Sequence, residues 1–117
     1  MSKPNEKYQK RDPKILWVKY KDGTIICCPK ASDTFKVVLE KSNIDMAKVL
    51  DLFKEEKGIP FVSKEYSSDE HVRAHQKEIR GYYFYVKIST YILFYYLYKI
   101  WKEFKINFIQ DIDCVKK

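Results

Sequence analysis

Residues 82–104 read YYFYVKISTYILFYYLYKIWKEF and hold seven of the ten tyrosines, one of the two tryptophans and three of the seven phenylalanines. Ser89 and Thr90 divide the stretch, because a hydroxyl side chain there can accept a hydrogen bond from a free amide and begin a helix. We therefore predict a strand over Tyr82–Ile88 and a helix from Thr90 to about Phe104. Lys87 and the many tyrosines, which prefer membrane interfaces to the hydrocarbon centre, argue against a membrane span.

The predicted helix is apolar on most sides, which is typical of a helix buried on most sides. A chain of 117 residues has few layers with which to cover such a helix completely. The spacing i, i+4, i+7, i+11 predicts that one face stays outward, formed by Tyr91, Tyr95, Tyr98 and Lys102. Exposed tyrosines are typical of protein interfaces. This face predicts a homodimer, or a small inhibitor or adaptor that docks on a larger protein.

The segments Ile15–Tyr20 and Thr24–Cys28 are rich in β-formers and flank Asp22-Gly23, which is a strong hairpin signal. With a two-residue loop, Tyr20 would face Ile25 and Val18 would face Cys27.

Helices are predicted over residues 32–42, capped by Ser32 or Asp33, and 45–57, capped by Asn43 or Asp45 and ended by Gly58. A short strand follows at Ile59–Ser63, and the last strand is expected at Lys105–Ile109. The polar segment 64–80 fits either a helix over Ser68–Ile79 or a mobile loop.

The predicted fold class is α+β: one small antiparallel sheet with about three helices, mainly on one face, in the order β-β-α-α-β-β-α-β. We expect the core to contain Val18, Tyr20, Ile25, Phe35, Leu39, Val49, Leu50, Phe53, Phe84, Val86, Leu93, Leu97 and Ile100.

The length predicts one domain over residues 15–112, with a flexible basic arm at 1–14 and a tail at 113–117. The arm, MSKPNEKYQKRDPK, lacks the apolar stretch of a secretory signal. The three cysteines are an odd number without a C-x-x-C motif, which favours a reducing cytoplasm over a disulfide framework.

Several motifs occur in a fixed order: DGTIICCPKASDTFKVVLEK at 22–41, GIPFVSK at 58–64, Gly81-Tyr82-Tyr83, and Ser89-Thr90 before the last helix. Together they resemble a small bacterial module with the pattern D-G-T-x-I, A-x-D-T-F, G-x-P-L-V-S-K, G-Y-Y and S-T, over about Ile15 to Ile109. The resemblance implies an α+β accessory domain of bacterial or phage source, in some cases linked to DNA processing or restriction, and supplies no catalytic residues. The last helix of that module is polar and lysine-rich, whereas here it is aromatic.

The net charge of +7 favours an acidic partner, either nucleic acid or an acidic protein surface. Cations next to aromatic rings suit phosphate contact and base stacking. The candidate nucleic-acid-binding residues are Lys10 and Arg11 in the arm, and Lys64, Arg73, Lys77, Arg80 and Lys87 in and after the polar segment.

No catalytic signature, metal site or cofactor motif is predicted. His71 and His75 share a helical spacing, but no third ligand is evident. Cys27 and Cys28 lack a recognisable general base. We therefore expect a nucleic-acid-associated accessory protein, DNA-binding and without catalytic activity, or alternatively a protein-interaction module that docks through the tyrosine-rich helix.

Overall fold

The computed structural model describes residues 14–55 and 57–116, and within these it has an α+β fold, as predicted. The predicted arm residues Lys10 and Arg11 lie outside the described residues. The elements are β1 (Lys14–Tyr20), β2 (Ile25–Ile26), α1 (Ala31–Lys41), α2 (Met46–Leu52), β3 (Val62–Ser63), α3 (Glu70–Arg73), β4 (Gln76–Ile79), β5 (Tyr82–Tyr85), α4 (Thr90–Phe104) and β6 (Ile109–Lys116).

The strands form two antiparallel sheets rather than the single sheet that we predicted. The first sheet has the order β2-β1-β6 and the second has the order β3-β5-β4. Helices α1 and α4 pack against each other and against β1, so the core lies between these helices and the inner face of the first sheet.

The β1–β2 hairpin forms, but its predicted register is wrong by one residue. Val18 pairs with Ile26 and Lys19 with Ile25. The amide of Gly23 donates to Tyr20 O at 2.9 Å, and Gly23 has a φ of 96°, so the turn spans three residues instead of two. A slip of one residue moves side chains to the opposite face. Ile25, predicted in the core, is therefore 58% exposed.

The core otherwise contains most of the predicted residues, while Leu50 and Val86 are half-buried against it. Phe61, which the sequence did not single out, lies at its centre. Its ring lies 5.6 Å from that of Phe35, 5.4 Å from Phe84 and 5.0 Å from Phe53. These edge-to-face contacts join α1, the end of α2 and β5 in one aromatic cluster.

Helix α2 is shorter than predicted. It begins at the second of the two predicted caps, since Asp45 Oδ1 accepts a hydrogen bond from the amide of Ala47 at 2.9 Å. It ends at Leu52 rather than Lys57, and Phe53 after it is only 3% exposed. The backbone of Phe53 leaves the helical conformation, with φ −107° and ψ 8°, so the helix stops where this ring enters the core.

The segment 64–80 is neither one helix nor one loop. Asp69 caps the short helix α3 by accepting from the amides of His71 and Val72, and β4 then pairs with β5. The turn residues Arg80 and Gly81 have φ values of 52° and 86°, as a two-residue type I′ turn requires. Strands β3 and β5 are both shorter than the predicted Ile59–Ser63 and Tyr82–Ile88.

The last strand lies later than the predicted Lys105–Ile109. It runs over Ile109–Lys116, so residues 113–116, predicted as a tail, pair with β1. The cause is the end of α4, where Lys105 adopts a left-handed φ of 50° and the amide of Ile106 donates back to Trp101 O at 3.3 Å. Residues 105–108 therefore form the turn that follows α4 instead of a strand.

Strand β6 is an edge of the first sheet. The amide of Tyr20 points toward the β2 side of the sheet. Because amide directions alternate along antiparallel strands, the amides of Ile112 and Cys114 in β6 point away from β1. Each amide donates to the carboxylate of the preceding residue: Ile112 to Asp111 at 2.9 Å and Cys114 to Asp113 at 2.7 Å.

Candidate functional site

Helix α4 presents the most exposed group of aromatic side chains. Ser89 Oγ begins the helix by accepting from the amide of Ile92 at 3.1 Å. Leu93, Leu97 and Ile100 face the core and are at most 2% exposed. The apolar inner side fixes the helix, so its outer side has a defined orientation.

The outer side carries the residues for which the helical spacing predicted exposure. Tyr91 is 56% exposed, Tyr95 58% and Tyr98 40%, and Lys102 is exposed beside them. We call Tyr91, Tyr95, Tyr98 and Lys102 the tyrosine face. Tyrosine at such positions offers a large ring together with a polar tip, which suits a partly wet protein interface.

Two half-buried rings extend this face into a continuous row. Ring centroids are separated by 6.0 Å from Tyr91 to Phe94, by 6.2 Å from Phe94 to Tyr98, and by 5.6 Å from Tyr98 to Trp101. We call these four residues the aromatic ladder. Trp101 is held by a 3.1 Å hydrogen bond from its Nε1 to Ile106 O. Rings held by such contacts lose little further freedom when a partner binds.

A lysine lies at each end of the aromatic ladder. Lys14 Nζ is 5.7 Å from the ring centre of Tyr91, and Lys102 Nζ is 4.3 Å from that of Trp101. Each contact has cation–π geometry, worth about 0.5–1 kcal/mol at an exposed site. The site is therefore a row of rings with positive charge at both ends.

Two of the predicted nucleic-acid-binding residues are engaged within the protein. Lys77 Nζ lies 3.0 Å from Asp33 Oδ1 on α1. The guanidinium of Arg80 donates to Ser42 O at 3.2 Å and to Ile44 O at 2.8 Å. Both side chains therefore connect the second sheet to the α1 region.

The remaining predicted cations do not come together on one face. Lys64 and Lys87 are exposed, and Arg73 is exposed on α3 with a 3.5 Å contact to Ser67 O. Ser63 pairs with Tyr83, which places Lys64 near the turn of the β4–β5 hairpin, whereas Lys87 follows its opposite end. The strand rise separates these ends by on the order of 20 Å. The segment 64–80 also holds as many acidic residues as basic ones, with four of each.

A second aromatic group lies on the outer face of the second sheet. The rings of Tyr66 and Tyr83 are 4.0 Å apart, and Tyr85 shares the face of Tyr83 by strand alternation. Glu78 pairs with Tyr83 across β4 and β5. The pKa of Tyr83 is raised from 10.0, first by desolvation and then by the charges of Glu78 and Tyr66. A phosphate placed here would meet the negative charge of Glu78.

Some contributors to the site were not identified from the sequence. The spacing i, i+3, i+7, i+10 of Tyr91, Phe94, Tyr98 and Trp101 is a readable signal for the ladder. Lys14 has no such signal, because only the folded chain brings the start of β1 to the start of α4.

Within residues 14–55 and 57–116, no helix is long and apolar enough to cross a membrane. In the same residues, no three His, Cys, Asp or Glu side chains lie where they could hold a metal ion. Comparison with known proteins found no matching family model, no similar curated protein and no similar solved structure.

Proposed function

We propose that the protein is a binding module without catalytic activity, which docks on another protein through α4. The observation that carries this proposal is the tyrosine face: three tyrosines, each 40–58% exposed, lie side by side on a helix whose opposite side is core. Contiguous exposed apolar surface of this kind is typical of interaction sites.

The rigidity of the patch supports the same proposal. Tyr96, on the flank of α4, packs its ring 4.4 Å from Phe61 and 4.9 Å from Phe53. These contacts anchor α4 in the aromatic cluster of the core, so the exposed rings on its outer side keep a fixed position. Binding through such a surface costs less conformational entropy than binding through a loop.

A photo-cross-linking amino acid placed at Tyr95 tests the proposal in cells of the source organism. We expect a discrete protein adduct, weakened by a Tyr91→Ala/Tyr98→Ala change and identified by mass spectrometry. The matched control places the cross-linker at Glu40, which is exposed on α1. Equal adducts at both positions, or none at Tyr95, would reject α4 as the docking surface.

Nucleic-acid association is the second candidate function, and the ring pair Tyr66–Tyr83 is the observation that favours it, although Glu78 beside the pair would repel a phosphate. Exposed rings can stack with bases. Among residues 14–55 and 57–116, the predicted cations Lys64, Arg73 and Lys87 have no ion pair and no short hydrogen bond. The resemblance to modules of DNA-processing contexts also supports this candidate.

A titration with duplex and single-stranded DNA at two salt concentrations tests the second candidate. Phosphate contacts give a salt slope of about −0.9 per contact on duplex DNA. The informative variant is Lys64→Ala/Lys87→Ala, because changes at Lys77 and Arg80 would also remove contacts that hold the fold. Absence of binding at low salt would reject this candidate and leave docking through α4.

A further inference from the structure

We propose that the occupant of the α4 surface is a segment of another protein that has an apolar or aromatic centre and carboxylates at both ends. The inference rests on the proposed docking function and names the chemistry of the partner. It follows from how charge is arranged around the aromatic ladder.

The positive charges mark the two ends of the ladder. Lys14 lies at Tyr91, and Lys102 lies between Tyr98 and Trp101, at 5.3 Å and 4.3 Å from their ring centres. Ten residues separate Tyr91 from Trp101, so the ends are about 15 Å apart along the helix. The matching partner carries its acidic groups at a similar separation, with apolar side chains between them to cover the rings.

The same arrangement disfavours a second copy of this chain as the occupant. In an antiparallel pairing of two α4 helices, Lys14 of one copy would approach Lys102 of the other. In a parallel pairing, the two Lys102 side chains would meet. From Thr90 to Lys105 the chain has three lysines and one glutamate, so either arrangement brings like charges together.

A nucleic acid fits this surface less well than an acidic protein segment. One DNA strand in a duplex carries a phosphate about every 3.4 Å, so about four phosphates would span the ladder. Lys14 contacts Tyr91 at one end and Lys102 contacts Tyr98 and Trp101 at the other, so within the described residues the Phe94 ring at the centre of the ladder has no cation over it. Apolar side chains suit that centre better than phosphates do.

Fluorescence anisotropy with labelled probes tests the inference. The probe is a helical peptide of about eleven residues with glutamates at both ends, which places them about 15 Å apart to match the ladder, and leucine, phenylalanine and tyrosine between them. Its control carries glutamine in place of each glutamate, and a single-stranded oligothymidine of similar length serves as the nucleic-acid probe. The protein variant is Lys14→Gln/Lys102→Gln. Its control, Lys48→Gln/Lys57→Gln, removes the same number of positive charges outside α4.

We expect the acidic peptide to bind, and binding to weaken roughly five- to tenfold in the glutamine peptide and in Lys14→Gln/Lys102→Gln. The Lys48→Gln/Lys57→Gln variant should bind as the wild type does. Equal binding of both peptides, sensitive to Tyr95→Ala, would overturn the acidic partner but leave docking through α4. Tighter binding of the oligothymidine, or no binding of the acidic peptide, would also overturn the inference. The cross-linking result at Tyr95 tests the docking function separately.

Discussion

The guanidinium of Arg80 donates a 2.8 Å hydrogen bond to the carbonyl oxygen of Ile44. A second bond of 3.2 Å reaches Ser42 O, which lies where α1 ends. The arginine itself occupies a turn position with a φ of 52°, a conformation that costs a residue with a side chain about 1–2 kcal/mol. One side chain thus ties the second sheet to the connection between α1 and α2.

Replacement of Arg80 by alanine should destabilise the protein by about 1–2 kcal/mol, because hydrogen bonds from a charged donor are lost. Urea unfolding followed by circular dichroism measures this change. Arg73→Ala is the matched control, since its contact to Ser67 O is long at 3.5 Å, and it should change the free energy of unfolding by less than about 0.5 kcal/mol. Equal effects of the two variants would show that the Arg80 contacts contribute nothing specific.

The hydroxyl of Tyr20 is buried and has no hydrogen-bond partner in the described part of the chain. An unsatisfied buried polar group costs about 1–3 kcal/mol, so Tyr20→Phe should raise the free energy of unfolding by about 1 kcal/mol. The ring contact with Phe108, at 5.5 Å, would remain. Tyr95→Phe, on the exposed face, should leave the stability unchanged. A destabilised Tyr20→Phe variant would indicate a partner for the hydroxyl.

The same tyrosine should make the protein sensitive to alkali. Burial, and to a smaller extent Asp22, raise the pKa of Tyr20 above its ordinary value of 10.0. The unfolded chain therefore loses this proton first, so stability is complete below about pH 10 and falls as the pH rises through the higher folded-state pKa. Unfolding measured across this range should show a shallower fall in Tyr20→Phe. Part of the fall should persist, because desolvation also raises the pKa of Cys114 from 9.0.

Lys105 ends α4 with a φ of 50°, which glycine adopts without strain. Lys105→Gly should therefore stabilise the protein by roughly 0.5–1 kcal/mol. Lys99→Gly, in the interior of the same helix, should destabilise it by about 1 kcal/mol. Thermal unfolding of the two variants should show melting temperatures that move in opposite directions, and a shift in the same direction would contradict the assigned helix end.

Leu97 and Tyr95 lie two positions apart on α4 but on opposite sides. Leu97 is fully buried, so Leu97→Ala should cost about 2–5 kcal/mol. Tyr95 is 58% exposed, and Tyr95→Ala should change the stability by less than about 1 kcal/mol. Chemical unfolding compares them directly. A large loss in Tyr95→Ala would mean that the tyrosine face stabilises the fold rather than being available to a partner.

The elements with a clear period were predictable from the sequence, although the predicted cap of α1 at Ser32 or Asp33 was wrong, since α1 begins at Ala31 without a side-chain cap. Helix α4 runs from Thr90 to Phe104 as expected, because Ser89 caps it and Leu93, Leu97 and Ile100 form an apolar face. For the start of α2 the sequence offered Asn43 or Asp45 as the cap, and Asp45 forms it. In these places a local interaction decides the structure, and local interactions are visible in the sequence.

Features that depend on distant contacts were not predictable. Strand β4 contains only one buried residue, Ile79, so it has no alternating pattern and is formed by its pairing with β5. The hairpin register depends on one additional turn residue, which reverses the faces of Ile25 and Ile26. At the candidate site, the spacing of the tyrosines on α4 could be read from the sequence. The contacts of Lys77 with α1 and of Arg80 with the residues after α1 could not, because they arise from tertiary packing.

The paired carboxylates of β6 affect how this molecule meets its neighbours. An open strand edge invites other chains to extend the sheet, which is a route to fibrils. Here the amides of Ile112 and Cys114 are already bonded to Asp111 and Asp113, so an added strand would have to displace these bonds and approach two negative charges. Growth of the first sheet along this edge is thereby disfavoured, and a basic, aromatic-rich chain can expose a row of rings on one helix while its longest edge strand resists templated aggregation.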